Sequence, residues 1–152
     1  MHIGNYLGLL DASEQQLVDA LLLVADHHGD EPDIYQTCQL VASWSQEAIA
    51  SLQPLIERYS EEKSDEPERL TQVLFAGPRT GSLALMRDLH DLWLLASEVQ
   101  LCLGVLDQAA KALRDPELEA FCQRFTAQTK RQLAWLHSRI QQAAPQALVV
   151  AT

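Results

Sequence analysis

Residues 82–113, SLALMRDLHDLWLLASEVQLCLGVLDQAAKAL, decide the fold, because they contain no proline and a single glycine. Apolar side chains recur there at spacings of three and four, which predicts one long helix: Leu85, Leu89, Leu92, Ala96, Val99, Leu103, Leu106, Ala110 and Leu113. A second apolar set covers much of the remaining surface: Leu94, Leu95, Leu101, Cys102 and Val105. A helix that is apolar nearly all round is central in its domain or has a second partner.

The same periodicity predicts three further helices around this one, giving four at about 11–28, 31–59, 82–113 and 116–143. Asp11 followed by Glu14 resembles a capping box at the start of the first helix. Pro54 is expected to kink or shorten the second. Asp115 is a good N-cap for the fourth, and Pro145 is expected to end it.

The lengths of the connections predict how these helices are arranged. Only a few residues separate the first helix from the second and the third from the fourth, which favours two antiparallel hairpins. Residues 60–81 contain a charged run at 61–68 and then apolar residues, enough for one short helical turn at 70–75. This connection is long enough to cross the bundle. The predicted fold is therefore all-α, a single domain over residues 1–152, an antiparallel four-helix bundle with a long crossover between helices two and three.

Charge and composition exclude several classes of partner. The chain has 21 acidic and 11 basic residues, a formal net charge of −10, which repels phosphate backbones and anionic lipid headgroups. We therefore expect no nucleic acid and no membrane as partner. The most apolar segment, residues 92–106, contains Glu98 and Gln100 and falls short of the ~18 apolar residues typical of a membrane span.

The cysteines and the N-terminus favour the cytoplasm. Cys38, Cys102 and Cys122 are an odd number at wide spacing, without a zinc-ligand pattern. They are expected to be small buried side chains in a reducing compartment. The first residues show no basic segment followed by a long apolar one, so no signal peptide is expected.

Two hairpins joined by a long crossover resemble the ferritin-like superfamily. The segment Cys38 to Tyr59, with Trp44-Ser45-Gln46-Glu47 in the second helix, is similar to bacterial ferritin-like proteins of uncharacterised function. The resemblance implies a polar layer at mid-bundle, where the metal-binding members of the superfamily place two glutamates and two Glu-x-x-His motifs.

A candidate interior polar layer follows from that comparison: Glu14, Glu47, Glu98, Gln128 and Gln132. No Glu-x-x-His occurs in the chain, so the ligand motif is degenerate, and we expect neither metal nor cofactor. The alternative is that the same side chains have structural roles unrelated to metal binding. Glu14 would then complete a capping box, Glu47 would face solvent beside Trp44, and Glu98 would pair with Arg131.

No other motif of catalysis or metal binding is intact. His27 and His28 precede three carboxylates at the junction of helices one and two, but neighbouring helical residues diverge by ~100° and do not converge on one ion. There is no Gly-x-Ser-x-Gly and no phosphate-binding glycine loop. The sequence leaves open whether the protein is an enzyme and favours one that is not.

The sequence thus favours a non-catalytic bundle that acts as a structural or protein-interaction module. Its partner would be another protein or a second copy of the chain, because the third helix exposes more apolar surface than one seam requires. The alternative is a di-metal carboxylate protein, of iron or manganese, with oxidase or storage-like activity. A carrier of an apolar ligand between helices is a weaker third interpretation.

Overall fold

A computed structural model describes residues 1–65 and 73–150, and over these ranges the protein is all-α, with no strand. Four α-helices account for most of it: α1 Ile3–His27, α2 Pro32–Arg58, α3 Ala84–Leu113 and α4 Pro116–Pro145. A short π-helical turn, Gln146–Val150, follows α4. The predicted four-helix bundle is confirmed, and the bounds of α2, α3 and α4 lie within about two residues of those predicted.

The first helix is the exception, because it starts eight residues before the predicted Asp11. Asp11 is therefore not an N-cap, and the predicted capping box with Glu14 is wrong. Gly4 is not a helix breaker here. A Cβ atom at this position would lie 2.8 Å from the carbonyl oxygen of Tyr59 and 3.0 Å from that of Glu62, so glycine permits the start of α1 to pack directly against the end of α2.

The start of α4 is as predicted. The Asp115 side chain accepts hydrogen bonds from the backbone N–H groups of Glu117 and Leu118, which satisfies two of the unpaired donors at a helix start. Arg58 and Tyr59 also bind the Asp115 carboxylate. This cap therefore ties the end of α2 to the α3–α4 hairpin. Pro54 lies inside α2 without ending it.

Side-chain contacts show that the two hairpins pack with all neighbouring helices antiparallel. Gln132 of α4 contacts Val41 of α2, while near the other end of α2 Arg58 contacts Glu117. The crossover begins beside the start of α1, where the Gly4 N–H donates to the carbonyl oxygen of Glu62. It ends beside the last turn of α1, where Arg79 contacts His27. It therefore runs the length of the bundle, as the sequence predicts.

The core lies between these four helices and consists mainly of leucine, valine and alanine. Its fully buried members include Leu7, Leu10, Leu17, Leu21, Ile34, Leu52, Leu89, Leu92, Leu95, Leu103, Leu106 and Phe125. Cys38, Cys102 and Cys122 are buried and free, as expected. Burial raises the pKa of each thiol to about 12, so all three are protonated small hydrophobes at neutral pH.

Among the described helices only α3 is long and apolar enough to cross a membrane, with a window of mean hydropathy 1.3. The apolar segment taken from the sequence, residues 92–106, is shorter than the 18-residue window over which this hydropathy is averaged. Its inner face is buried between α1 and α4, and 44% of that window is buried, as in the central helix of a bundle.

The crossover is described only in part. The predicted helical turn at 70–75 lies partly outside the described residues, and Val73 to Phe75 have no regular structure. The charged run is described as far as Asp65.

Candidate functional site

Two members of the predicted interior layer, Glu14 and Gln132, do meet inside the bundle. Both are 2% exposed, and both bind Ser45 of α2. The Gln132 Nε2 group donates to Ser45 Oγ and to the carbonyl oxygen of Val41, each at 3.0 Å. Glu14 forms a side-chain hydrogen bond with Ser45. Three helices are therefore joined at one buried serine.

Burial determines the charge of this cluster. Loss of hydration raises the pKa of Glu14 to about 8, although the Ser45 hydrogen bond opposes the shift. The carboxyl group is therefore mostly protonated at neutral pH. Two oxygens, Glu14 Oε2 and Gln132 Oε1, are buried without a hydrogen-bond partner. The cluster is thus a neutral polar contact that is only partly satisfied.

The other three members do not join it. Glu47 lies on the surface and forms an ion pair with Arg124, so its assignment to the interior was wrong. It directly precedes the buried Ala48, and one helical residue rotates the side chain by ~100° away from the core. Glu98 and Gln128 precede the buried Val99 and Thr129 and are only half-buried for the same reason.

The predicted pairing of Glu98 with Arg131 is not found among the described residues, since each has another partner. Glu98 accepts a hydrogen bond from the Cys102 thiol on its own helix, with a sulfur–oxygen distance of 3.7 Å. The guanidinium carbon of Arg131 lies 4.7 Å from the centre of the Trp44 ring, a cation–π contact. The layer therefore supplies one buried carboxyl group, whereas the di-metal bundles use four carboxylates.

A second buried polar cluster, which the sequence analysis did not predict, lies at one end of the bundle. Asp88 of α3 is fully buried, and its Oδ2 atom lies 2.8 Å from Nε2 of His28. Its Oδ1 atom accepts the backbone N–H of Arg79 at 2.9 Å. One carboxylate thus holds the end of α1, the start of α3 and the end of the crossover.

The crossover is fastened further by Arg79. Its guanidinium group contacts Asp91 at 2.7 and 3.3 Å, and its carbonyl oxygen lies 2.8 Å from Nε2 of His27. Ligand atoms of His27, His28 and Asp88 lie within 4.8 Å of one another, close enough for a metal to draw them together. All three are already hydrogen-bonded, and the Arg79 guanidinium lies 4.0 Å from Asp88. We therefore interpret this cluster as a structural clamp.

A cavity of about 330 Å³ opens between α3 and α4. It is lined by Arg87, His90, Trp93, Leu94, His137 and Ile140. Arg87 is held by a hydrogen bond to His90 at 2.9 Å. The cavity extends the apolar surface of α3 on the side of Trp93 and Leu94.

An exposed apolar surface lies on the side of α3 turned away from the core. Leu94, Leu101 and Val105 are 54, 68 and 48% exposed, and their spacings of seven and four place them on one side of the helix. Ser97 and Gly104 lie beside them, and Glu98 lies among them, four residues after Leu94 and three before Leu101. Together these residues form the outward face of α3, whose single carboxylate is half-buried. The sequence predicted an excess of apolar surface here, although Leu95 and Cys102 turn inwards.

Comparison with protein-family models, with curated proteins and with solved structures finds no match for this chain.

Proposed function

We propose that this protein is a non-catalytic, ferritin-like bundle of the cytoplasm that works by binding another protein through the outward face of α3. The observation that carries the proposal is the exposure of Leu94, Leu101 and Val105 on one side of one helix. Scattered apolar side chains are normal on a protein surface, whereas an aligned group of them is typical of an interaction site.

The charge of the molecule supports this choice of surface. A chain with a net charge of −10 has acidic residues over much of its exterior, yet the outward face of α3 has only one in about three turns, Glu98, which is half-buried and hydrogen-bonded to Cys102. Charged residues are depleted at the centre of protein interfaces because their desolvation is costly. A largely apolar helix face on an acidic protein therefore fits an interface better than it fits a solvated surface.

The interior features fit a scaffold better than a catalyst. The Glu14 carboxyl is neutral near pH 7 because of its raised pKa, and a protonated carboxyl is a poor ligand for a metal. The His28–Asp88 pair binds the crossover. The di-metal alternative therefore has less support, since it requires several carboxylates at mid-bundle, and of the three glutamates predicted for that layer only Glu14 is buried.

Affinity capture from a cell extract, with identification by mass spectrometry, tests the proposal. Leu101→Glu places a charge in the centre of the outward face of α3. Leu40→Glu is the matched control, because Leu40 is an exposed leucine on α2, 55% exposed. We expect the wild type and the control to retain the same bound protein in stoichiometric amount and the Leu101→Glu variant to lose it. Equal recovery by all three chains would contradict the proposal.

A further inference from the structure

We infer that the cavity between α3 and α4 binds a small organic anion, a monocarboxylate joined to an aromatic or aliphatic body. This inference goes beyond the proposed function and does not depend on it. The side chains that line the cavity are of two kinds. The polar ones are Arg87, His90 and His137, and the apolar ones are Trp93, Leu94 and Ile140. All three polar side chains have nitrogen donors, so the cavity matches a ligand that combines an acceptor group with apolar surface.

Arg87 gives the cavity its positive charge. This arginine is half-buried, and over residues 1–65 and 73–150 no carboxylate pairs with it, since its hydrogen bond goes to His90. Asp91 stands one turn further along α3, but it is held by Arg79 at 2.7 and 3.3 Å. A partly buried charge without a counter-ion is costly, and an anion bound from solution would supply the missing partner.

His90 holds the Arg87 guanidinium in position for such a partner. An Nη1 atom of Arg87 lies 2.9 Å from Nδ1 of His90. A guanidinium has five N–H donors and no acceptor, so Nδ1 accepts and His90 adds no charge while it makes this contact. The remaining donors of Arg87 are enough for the two parallel hydrogen bonds by which arginine binds a carboxylate. A guanidinium that is already held in place loses less conformational freedom on binding.

Charge favours a monocarboxylate over a doubly charged phosphate group. Arg87 supplies one permanent positive charge, which balances the single charge of a carboxylate. The chain as a whole has a net charge of −10 and therefore repels a dianion more strongly than a monoanion.

The size of the cavity and its apolar side chains define the rest of the ligand. Its volume of about 330 Å³ is near the lower end of the ~300 to 1,000 Å³ typical of ligand sites. It equals the liquid volume of about eleven water molecules, at ~30 Å³ each, which corresponds to a ligand of about ten non-hydrogen atoms. Trp93 is 38% exposed and offers an aromatic ring against which the body of the ligand can pack.

Two other grooves of the bundle have a different combination of charges. One lies between α2 and α4 and is lined by Arg124 together with Glu117, and Arg124 already pairs with Glu47. The other lies between α3 and α4 and is lined by Lys130 together with Asp107. Each includes a carboxylate that would repel an anion, whereas none lines the cavity at Arg87.

Titration of the full chain with 3-phenylpropanoate, followed by the backbone amide signals in NMR, tests the inference. We expect a dissociation constant on the order of 100 μM for this probe, with the largest shifts at residues 87–94 and 137–140. The neutral amide 3-phenylpropanamide has the same shape and should bind at least about tenfold more weakly. Propanoate, which lacks the ring, and inorganic phosphate should also bind at least about tenfold more weakly.

Arg87→Met keeps a long side chain and removes the charge. It should weaken binding of 3-phenylpropanoate at least about tenfold and change binding of the amide by less than about threefold. Arg124→Met is the matched control, because it removes the same charge from an arginine that already has a carboxylate partner, and it should leave both affinities within about threefold of the wild type. The amide spectrum of each variant verifies its fold.

The comparison of carboxylate with amide on the wild type keeps the test decisive even if Arg87→Met fails to fold. Equal affinity for the two probes, or no shift up to about 10 mM of 3-phenylpropanoate, would overturn the inference. Tighter binding of inorganic phosphate, or shifts that lie away from the cavity, would overturn it as well. None of these results bears on protein capture through Leu101, which does not line the cavity.

Discussion

The imidazole of His28 and the carboxylate of Asp88 lie 2.8 Å apart, fully enclosed where α1 ends and α3 begins. Sixty residues separate them in the chain. Together with the Arg79 N–H they hold the crossover against the bundle end. Because the crossover is the longest connection in the molecule, this clamp is expected to contribute strongly to stability.

Replacement of Asp88 by alanine removes the carboxylate and leaves the His28 ring and the Arg79 amide without their partner. Loss of one member of a buried polar pair typically costs about 3 kcal/mol. Urea denaturation followed by circular dichroism measures the change in the free energy of unfolding. Asp26→Ala on the exposed side of α1 is the control and should change it by less than about 0.5 kcal/mol. An effect of Asp88→Ala no larger than the control would disprove the clamp.

The raised pKa of Glu14 predicts an unusual dependence of stability on pH. The pKa of this carboxyl is about 8 in the folded protein, above its ordinary value of 4.5, so the folded state holds a proton that the unfolded state releases. This contribution is complete below about pH 4.5 and is lost as the pH rises through 8. Relative to Glu14→Gln, the wild type should become less stable by a few kcal/mol between pH 5 and pH 8.5.

Urea denaturation of the wild type and Glu14→Gln at several pH values measures this difference. The glutamine variant keeps the shape of the side chain and cannot ionise, so other titrating groups cancel in the comparison. A stability difference that stays constant from pH 5 to pH 8.5 would show that Glu14 does not hold its proton as described.

Two glycines of α1 are predicted to respond in opposite directions. Gly4→Ala places a methyl group 2.8 Å from the Tyr59 carbonyl oxygen and should lower the free energy of unfolding by about 1 to 3 kcal/mol. Gly8→Ala meets no atom within 4 Å and should raise it by up to about 1 kcal/mol. Thermal unfolding of the two variants measures both changes, and equal shifts of the same sign would contradict the packing described for α1 and α2.

Elemental analysis of protein purified without chelator is expected to find less than about 0.1 iron, manganese or zinc ion per chain, because a di-metal bundle uses several carboxylates around its ions. About one or two ions per chain would restore the di-metal alternative. His28→Ala would then separate the two possible locations, since it removes a ligand at the bundle end and leaves the Glu14 cluster unchanged.

Helical periodicity explains most of what the sequence predicted and most of what it missed. Spacings of four and three residues from Leu10 place Glu14 and His28 on the inward side of α1, where both are buried. Glu47 was assigned to the interior from its sequence context, although its position one residue before Ala48 already turns it outwards. The same periodicity would have found Asp88, which stands three residues after Leu85 and four before Leu92 on the inward side of α3.

Other features depend on contacts between distant segments, and periodicity does not reveal them. Gly4 and Gly8 both lie in the first turns of α1, and a glycine required by packing and one tolerated by a helix look alike in the sequence. The hydrogen bonds from Arg79 to Asp88 and Asp91 join the crossover to α3 and carry no local signal. The sequence predicted surplus apolar surface on α3. Which of those apolar residues are exposed and which are buried depends on how α1 and α4 pack against α3, and periodicity alone does not show it.

Light scattering on size-separated wild type and Leu101→Glu, from low to high concentration, tests most directly whether the outward face of α3 is an association surface. The account predicts that the wild type, mixed with the protein that it captures from the extract, has a mass above the 17.0 kDa of one chain, while the Leu101→Glu variant in the same mixture remains at the mass of one chain. The same mass for both proteins at every concentration would contradict it.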